Sequence, residues 1–210
     1  MRAKGEPMEA RIDINRRGFL TATLAALLGM AGLAEGASCP SAENNPEGPF
    51  YIPGAPFRNR LAPENQPGER LRISGRVLAA PGCEPLAGAI VDVWHASAAG
   101  FYYGLEAVRP LKAEEFLLRG RIRTGENGSY SFDTILPGNY RVTESWTRPR
   151  HIHYMVSHPS RRNLTTQLYF EGDPVNKTDP MVKISLIIPL KRRQGEGAGY
   201  EGTFDIALAT

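Results

Sequence analysis

The chain has 210 residues, 25 Lys and Arg against 22 Asp and Glu, and a net charge of +3. That near balance, with Lys191-Arg192-Arg193 as a merely local basic cluster, argues against nucleic acid as a partner. Once residues 1–36 are set aside, the remaining length suits one domain.

Residues 1–36 read as an export signal. Asn15-Arg16-Arg17-Gly18-Phe19-Leu20 is a twin-arginine pattern, followed by an apolar run from Phe19 to Ala34 and a small-residue exit at Ala34-Glu-Gly36-Ala37-Ser38. The run is short for a membrane span, which needs about 20 apolar residues. The expectation is export by the twin-arginine route to the periplasm or outside the cell, with no membrane span in the mature protein. That route carries folded proteins, often with a cofactor already loaded.

Cys39 and Cys83 are the only cysteines. In an exported chain they point to one disulfide tying the N-terminal segment to a loop. Two free thiols, or lipidation of Cys39, are the alternatives. Residues 37–70 form an irregular arm rich in Pro, Asn, Gly and Glu, with one aromatic knot at Gly48-Pro49-Phe50-Tyr51. Tyr51 either packs the arm or lines a pocket.

From residue 71 the pattern turns all-β. Leu71, Ile73 and Val77 alternate, as do Ala89, Val91 and Val93, then Tyr130, Phe132 and Thr134 after the turn at Gly125-Glu-Asn-Gly128. Tyr140 with Val142 follows Pro137-Gly138, and runs at 151–156, 164–170, 182–188 and 203–208 complete the set. Short alternating runs between turn signals predict an antiparallel β-sandwich of the prealbumin or immunoglobulin kind over 71–210, with long active-site loops. One short helix is expected at Lys112–Leu117. The aromatic-rich loop Ala96–Leu111 is longer than a plain connector needs to be.

Two of the four histidines, His151 and His153, stand two residues apart in a predicted strand, so both rings face one side. Alone, such a pair could equally be solvated or bind zinc or copper. Tyr140 after Pro-Gly could simply pack on the sheet, and the residues do not separate Tyr102 from Tyr103. His95 and His158 read as non-ligands. A metal-free prealbumin-like binding domain would also explain the strands.

The conjunction says more. Val91-Asp-Val-Trp94-His-Ala-Ser-Ala-Ala-Gly100-Phe-Tyr102, Pro137-Gly-Asn-Tyr140, Arg148-Pro-Arg-His151-Ile-His153 and Leu164-Thr-Thr-Gln167-Leu-Tyr-Phe170 occur in that order. Together they resemble the intradiol ring-cleavage dioxygenases, specifically the catalytic chain of the protocatechuate 3,4-dioxygenase group and its exported relatives. The resemblance implies a non-haem Fe(III) held by Tyr102, Tyr140, His151 and His153. Tyr102 is chosen over Tyr103 because the family tyrosine falls eight residues after the tryptophan, here Trp94. It further implies that a catechol-type substrate and O2 give a cis,cis-muconate-type product. Tyr140 would be the ligand that yields to substrate and takes its proton, with Arg148 and Gln167 stabilising charge on the ring. Arg141-Val142 stands where the protocatechuate enzymes have Pro-Trp, which puts protocatechuate itself in doubt. Assembly as a homo-oligomer or with a second chain is left open.

Overall fold

A computed structural model describes residues 38–195 and 197–210, so the twin-arginine segment lies outside the described residues. The strands, in chain order, are β1 (Arg70–Ala79), β2 (Glu84–Pro85), β3 (Ile90–His95), β4 (Arg119–Arg123), β5 (Ser129–Ile135), β6 (Tyr140–Arg141) and β7 (Thr147–Arg148). They continue with β8 (His151–Ser157), β9 (Leu164–Phe170), β10 (Ile187–Ile188), β11 (Lys191–Arg193), β12 (Gly199–Thr203) and β13 (Ile206–Leu208). Among the described residues, the only helical pieces are three short 3-10 turns. No helix there is long and apolar enough to cross a membrane. The fold is all-β, as expected.

Two sheets make the sandwich. One orders β11-β12-β1-β13, with β2 and β5 also paired to β1; the other orders β10-β9-β8-β3-β4. The core between them draws Leu71, Ile73 and Val77 from β1, Phe132 from β5, Val91 and Val93 from β3, and Ile152, Tyr154 and Val156 from β8. Rings bridge the layers, with Tyr154 against Tyr130, Phe132 and Phe204. The main ladders are antiparallel, while β12 and β13 join β1, and β10 joins β9, in parallel.

Local departures from the expected elements have physical causes. The helix expected at Lys112–Leu117 is a single 3-10 turn, Ala113–Glu115. The strand expected at 182–188 is a 3-10 turn, Ile184–Leu186, with only Ile187–Ile188 paired. The run expected at 203–208 is divided between β12 and β13, each beside a different part of β1. Strand β4 had no apolar signal because its sequence is Arg-Gly-Arg-Ile-Arg. Its arginines are satisfied by the arm and the long loop: Arg119 donates to the carbonyls of Phe50 and Tyr103, and Arg121 to that of Ala55.

Residues 38–69 hold no strand beyond the isolated bridges Phe57 to Arg121 and Arg60 to Asp133. Their middle part, around Asn45 to Tyr51, lies on the outer face of the five-stranded sheet, while Asn59 and Leu61 bond to Asp133 of β5 and Ala42 to Ala207 of β13. The Asn45 amide donates to Thr165 O, Gln167 donates to Pro46 O, and Tyr51 Oη donates to Asp92. Cys39 and Cys83 are joined as a disulfide.

Candidate metal centre

Strand β8 is buried on both sides because its even residues fill the inter-sheet core while its odd residues face outward beneath the arm and loops. This pleat aims His151 and His153 at one spot. The ladder sets their flanks: His153 pairs with Trp94 on β3 and Gln167 on β9, and His151 pairs with Tyr169. Trp94 lies flat on the His153 ring, 4.9 Å between centroids and 7° from parallel.

Two loops bring the phenols. Gly100 and Gly138 allow the backbones of the Ala96–Leu111 loop and the Pro137-Gly138 turn to touch. A Cβ on Gly100, whose φ is +83°, would stand 2.4 Å from Asn139 O, and one on Gly138 would stand 2.2 Å from Ala98 O. The close approach sets Tyr102 and Tyr140 edge to face at 5.6 Å. Phe50 of the arm stacks on Tyr102 at 4.2 Å. Tyr140 pairs directly with Arg148 across the β6–β7 ladder. Asp173 secures both ends of this hairpin, accepting from Asn139 Nδ2 and the Arg150 amide, each at 2.9 Å.

The result is a triangle of donor atoms. Tyr102 Oη is 3.1 Å from His153 Nε2 and 3.4 Å from His151 Nε2, and the two imidazole nitrogens are 3.1 Å apart. His151 Nδ1 lies 2.6 Å from the Pro149 carbonyl, which can only accept, so the proton sits on Nδ1 and Nε2 offers its lone pair. His153 Nδ1 is buried with no hydrogen-bond partner, leaving this triangle as that ring's only polar contact. Tyr103 is elsewhere: its hydroxyl accepts from Gln66. The structure therefore separates two tyrosines that residue reasoning could not.

Burial dominates the electrostatics. It drives His151 down to about 3, helped by Arg148, and His153 well below the usual imidazole range, so both stay neutral. It lifts Tyr102 far above the usual phenol range, with Tyr140 adding to the rise. Tyr140 is raised by burial and pulled back by Arg148. Two neutral imidazoles and two phenols that resist ionisation on their own gain most from a strongly charged cation. Donors about 3 Å apart also match neighbouring ligands at metal–nitrogen bonds of about 2.0–2.1 Å. Among the described residues no group of three or more His, Cys, Asp or Glu could hold a metal. Any ion at this spot would depend on the phenols.

Beside the triangle lies a polar cluster that sequence reasoning found only in part. Arg148 is buried, and its Nε donates to Asp179 Oδ2 at 2.5 Å. Its Nη2 donates to Gln167 Oε1 at 2.8 Å and to Tyr169 Oη at 3.0 Å. Gln167 is wholly buried, with both ends of its amide in use. Tyr169 was legible in principle, being two residues from Gln167 on one strand. Asp179 was not, since an acidic residue in a Thr-Asp-Pro turn carries no such signal.

The family model described as Dioxygenase matches residues 46–210. The chain belongs to the intradiol ring-cleavage dioxygenases. It is 34% identical over 177 residues to a chlorocatechol 1,2-dioxygenase of Rhodococcus opacus, covering 74% of this chain and 67% of that protein. It is 40% identical over 144 residues to catechol 1,2-dioxygenase 2 of Acinetobacter lwoffii, covering 61% of this chain and 50% of that one. Among solved structures, the dioxygenase domain of a carbohydrate-binding fusion protein from Streptomyces sp. SirexAA-E matches with a TM-score of 0.69 and 36% identity, over 81% of this chain and 99% of that domain. The chain thus spans about half the length of several curated catechol 1,2-dioxygenases it matches. Intradiol dioxygenases are oxidoreductases that use non-haem Fe(III).

Proposed function

We propose that this intradiol dioxygenase opens a catechol-type ring between its two hydroxyl-bearing carbons, with O2 as co-substrate and a cis,cis-muconate-type acid as product. The observation that carries the reading is the triangle of Tyr102 Oη, His151 Nε2 and His153 Nε2, with Tyr140 and Arg148 beside it. Tyr102, Tyr140, His151 and His153 would hold the iron. When bound, ferric iron supplies the withdrawal of ring electron density that makes a catecholate reactive toward O2.

The chain's own residues do the rest. His151 and His153 are kept neutral by burial, and so offer lone pairs at the pH of the cell. Tyr102 is fixed under Phe50 in the buried wall, whereas Tyr140 is half-buried on a two-strand hairpin. Tyr140 is therefore the phenol free to move aside, and as the phenolate that a bound ferric ion would make of it, its Oη would take the proton of a substrate hydroxyl and leave as the neutral phenol. The Arg148 guanidinium counters negative charge that develops on the ring, and Gln167 holds that guanidinium by hydrogen bonding. Phe50, Trp94 and Tyr102 exclude water from the inner side.

We further propose that residues 71–210 form the catalytic domain and 37–70 its covering arm, and that the twin-arginine segment directs the protein out of the cytoplasm. The test is purification, metal analysis, O2 uptake with a panel of catechols, and product identification by mass. Stoichiometric iron, a red-brown colour and a ring-opened acid containing both oxygen atoms are expected. Colourless, iron-free protein, or a product retaining the ring, would remove the reading.

A further inference from the structure

We infer that Asp179 is a positioning residue for the ring-cleavage reaction, holding Arg148 so that one guanidinium nitrogen is left facing the substrate site. The inference rests on the proposed function and adds a part to it. Arg148 has three nitrogens, and two are engaged by the protein. Nε goes to Asp179, and Nη2 is shared between Gln167 and Tyr169. Among the described residues Nη1 makes no bond of that kind to Asp179, Gln167 or Tyr169, and the guanidinium's remaining polar neighbour is Tyr140, its partner across the β6–β7 ladder. The Tyr140 ring lies 5.6 Å from those of both Tyr102 and His151 and is the more exposed of the two phenols.

The environment makes this arrangement rigid. The Arg148 and Asp179 side chains are 4% and 0% exposed, so water cannot compete for either. Asp179 is itself fixed, because its Oδ1 accepts from the Met181 amide at 2.8 Å. The Met181 carbonyl in turn accepts from Tyr169 Oη and from Asn45 on the arm. The short segment carrying Asp179 and Met181 thus links the guanidinium, strand β9 and the covering arm. A planar guanidinium gripped on two edges cannot rotate, so its third edge is aimed before substrate arrives. Gln167 and Tyr169 hold only the Nη2 end with neutral acceptors. Asp179 anchors a second nitrogen and supplies the counter-charge that lets a cation remain buried.

The test compares iron-loaded wild type with Asp179→Asn, Asp179→Glu, Arg148→Gln, Tyr169→Phe and the Asp179→Asn/Arg148→Gln double variant. The catechol that wild type turns over best is the probe. Asp179→Asn should lower kcat by about a hundred-fold, the order expected when a charge-stabilising group is misplaced by about 1 Å. Iron content and KM should stay near wild type. Asp179→Glu should recover part of the loss, and Tyr169→Phe should lose less than Asp179→Asn. The double variant should be no slower than Arg148→Gln alone, because Asp179 acts only through Arg148. Wild-type kcat in Asp179→Asn at full iron occupancy, or losses that multiply in the double variant, overturns the inference.

Thermal melts of the same set read the pairing without turnover. Each single variant should lower Tm, and the double should recover part of the drop because no buried charge is left alone. Additive drops overturn the inference even if wild type cleaves none of the catechols, an outcome that would by itself remove only the proposed function. If Asp179→Asn does not fold, the double variant and Tyr169→Phe still decide the kinetics.

Discussion

His153 has its Nε2 in the donor triangle, its ring under Trp94, and no other polar partner. His153→Ala should therefore lose iron while keeping the sandwich, read by metal analysis alongside circular dichroism. Full occupancy in that variant would remove His153 from the ligand set. Tyr140→Phe should differ in kind. Because the other three donors remain, iron should largely stay, the colour should shift, and kcat should fall, as visible absorption and O2 uptake would show. The histidine pair was legible because a strand's two-residue period forces side chains at 151 and 153 together. Tyr102 was legible only through the family spacing, because no local rule separates it from Tyr103. Asp179 was invisible: its role comes from a contact 31 residues away in sequence that only the packed chain makes.

At the scale of elements, the site stands on β3, β8 and β9, and two loops complete it. The β8 and β9 runs are legible because apolar residues recur along short segments bounded by turn signals, Ile152, Tyr154 and Val156 in one and Leu164, Leu168 and Phe170 in the other. Strand β4 was missed because its burial is achieved by arginines bonded to carbonyls of other segments. The hairpin bearing Tyr140 and Arg148 depends on Asp173, which accepts from both of its ends. Asp173→Ala should leave those donors unmatched and cost about 1–3 kcal/mol, measured by denaturant unfolding, with kcat falling more than KM rises. The Cys39–Cys83 disulfide closes a sequence separation of 44 around the start of the arm. Chain-entropy reasoning gives a loss of up to about 4 kcal/mol when it is reduced. A reducing agent should lower Tm accordingly, and a Tm that does not change would show that the arm is held by its hydrogen bonds alone.

For the whole molecule, buried ionisable groups set the response to acid. His95 is fully enclosed, bonded to Ala96 O and Thr134, and burial holds it near 4. Unfolded imidazoles take up protons near 6.5, so the folded state gives away stability as pH falls from about 6.5 toward 4. His95 alone accounts for about 3 kcal/mol of this, and His151 acts in the same direction when no metal holds it. Asp92 opposes them. Burial raises it to about 6 despite the Tyr51 hydrogen bond, so its protonation below that value favours the fold, an effect lost as pH rises through 6. Metal-free Asp92→Asn should therefore lose stability more steeply between pH 6.5 and 4 than metal-free wild type, as urea midpoints against pH would reveal.

The pairing of β1 has a consequence for how the chain is made. Val77 sits beside Ile206 and Leu71 beside Tyr200, so the strand that opens the sandwich is completed by strands that follow it far along the chain. A nascent chain emerging from the ribosome cannot close this sheet as it grows, and contacts so distant in sequence slow folding. The core, and with it the platform beneath the histidines, would close only after translation has passed Leu208. Ribosome-arrested chains stalled before residue 199 should accordingly remain protease-sensitive throughout 70–170, whereas the released chain becomes resistant as a unit.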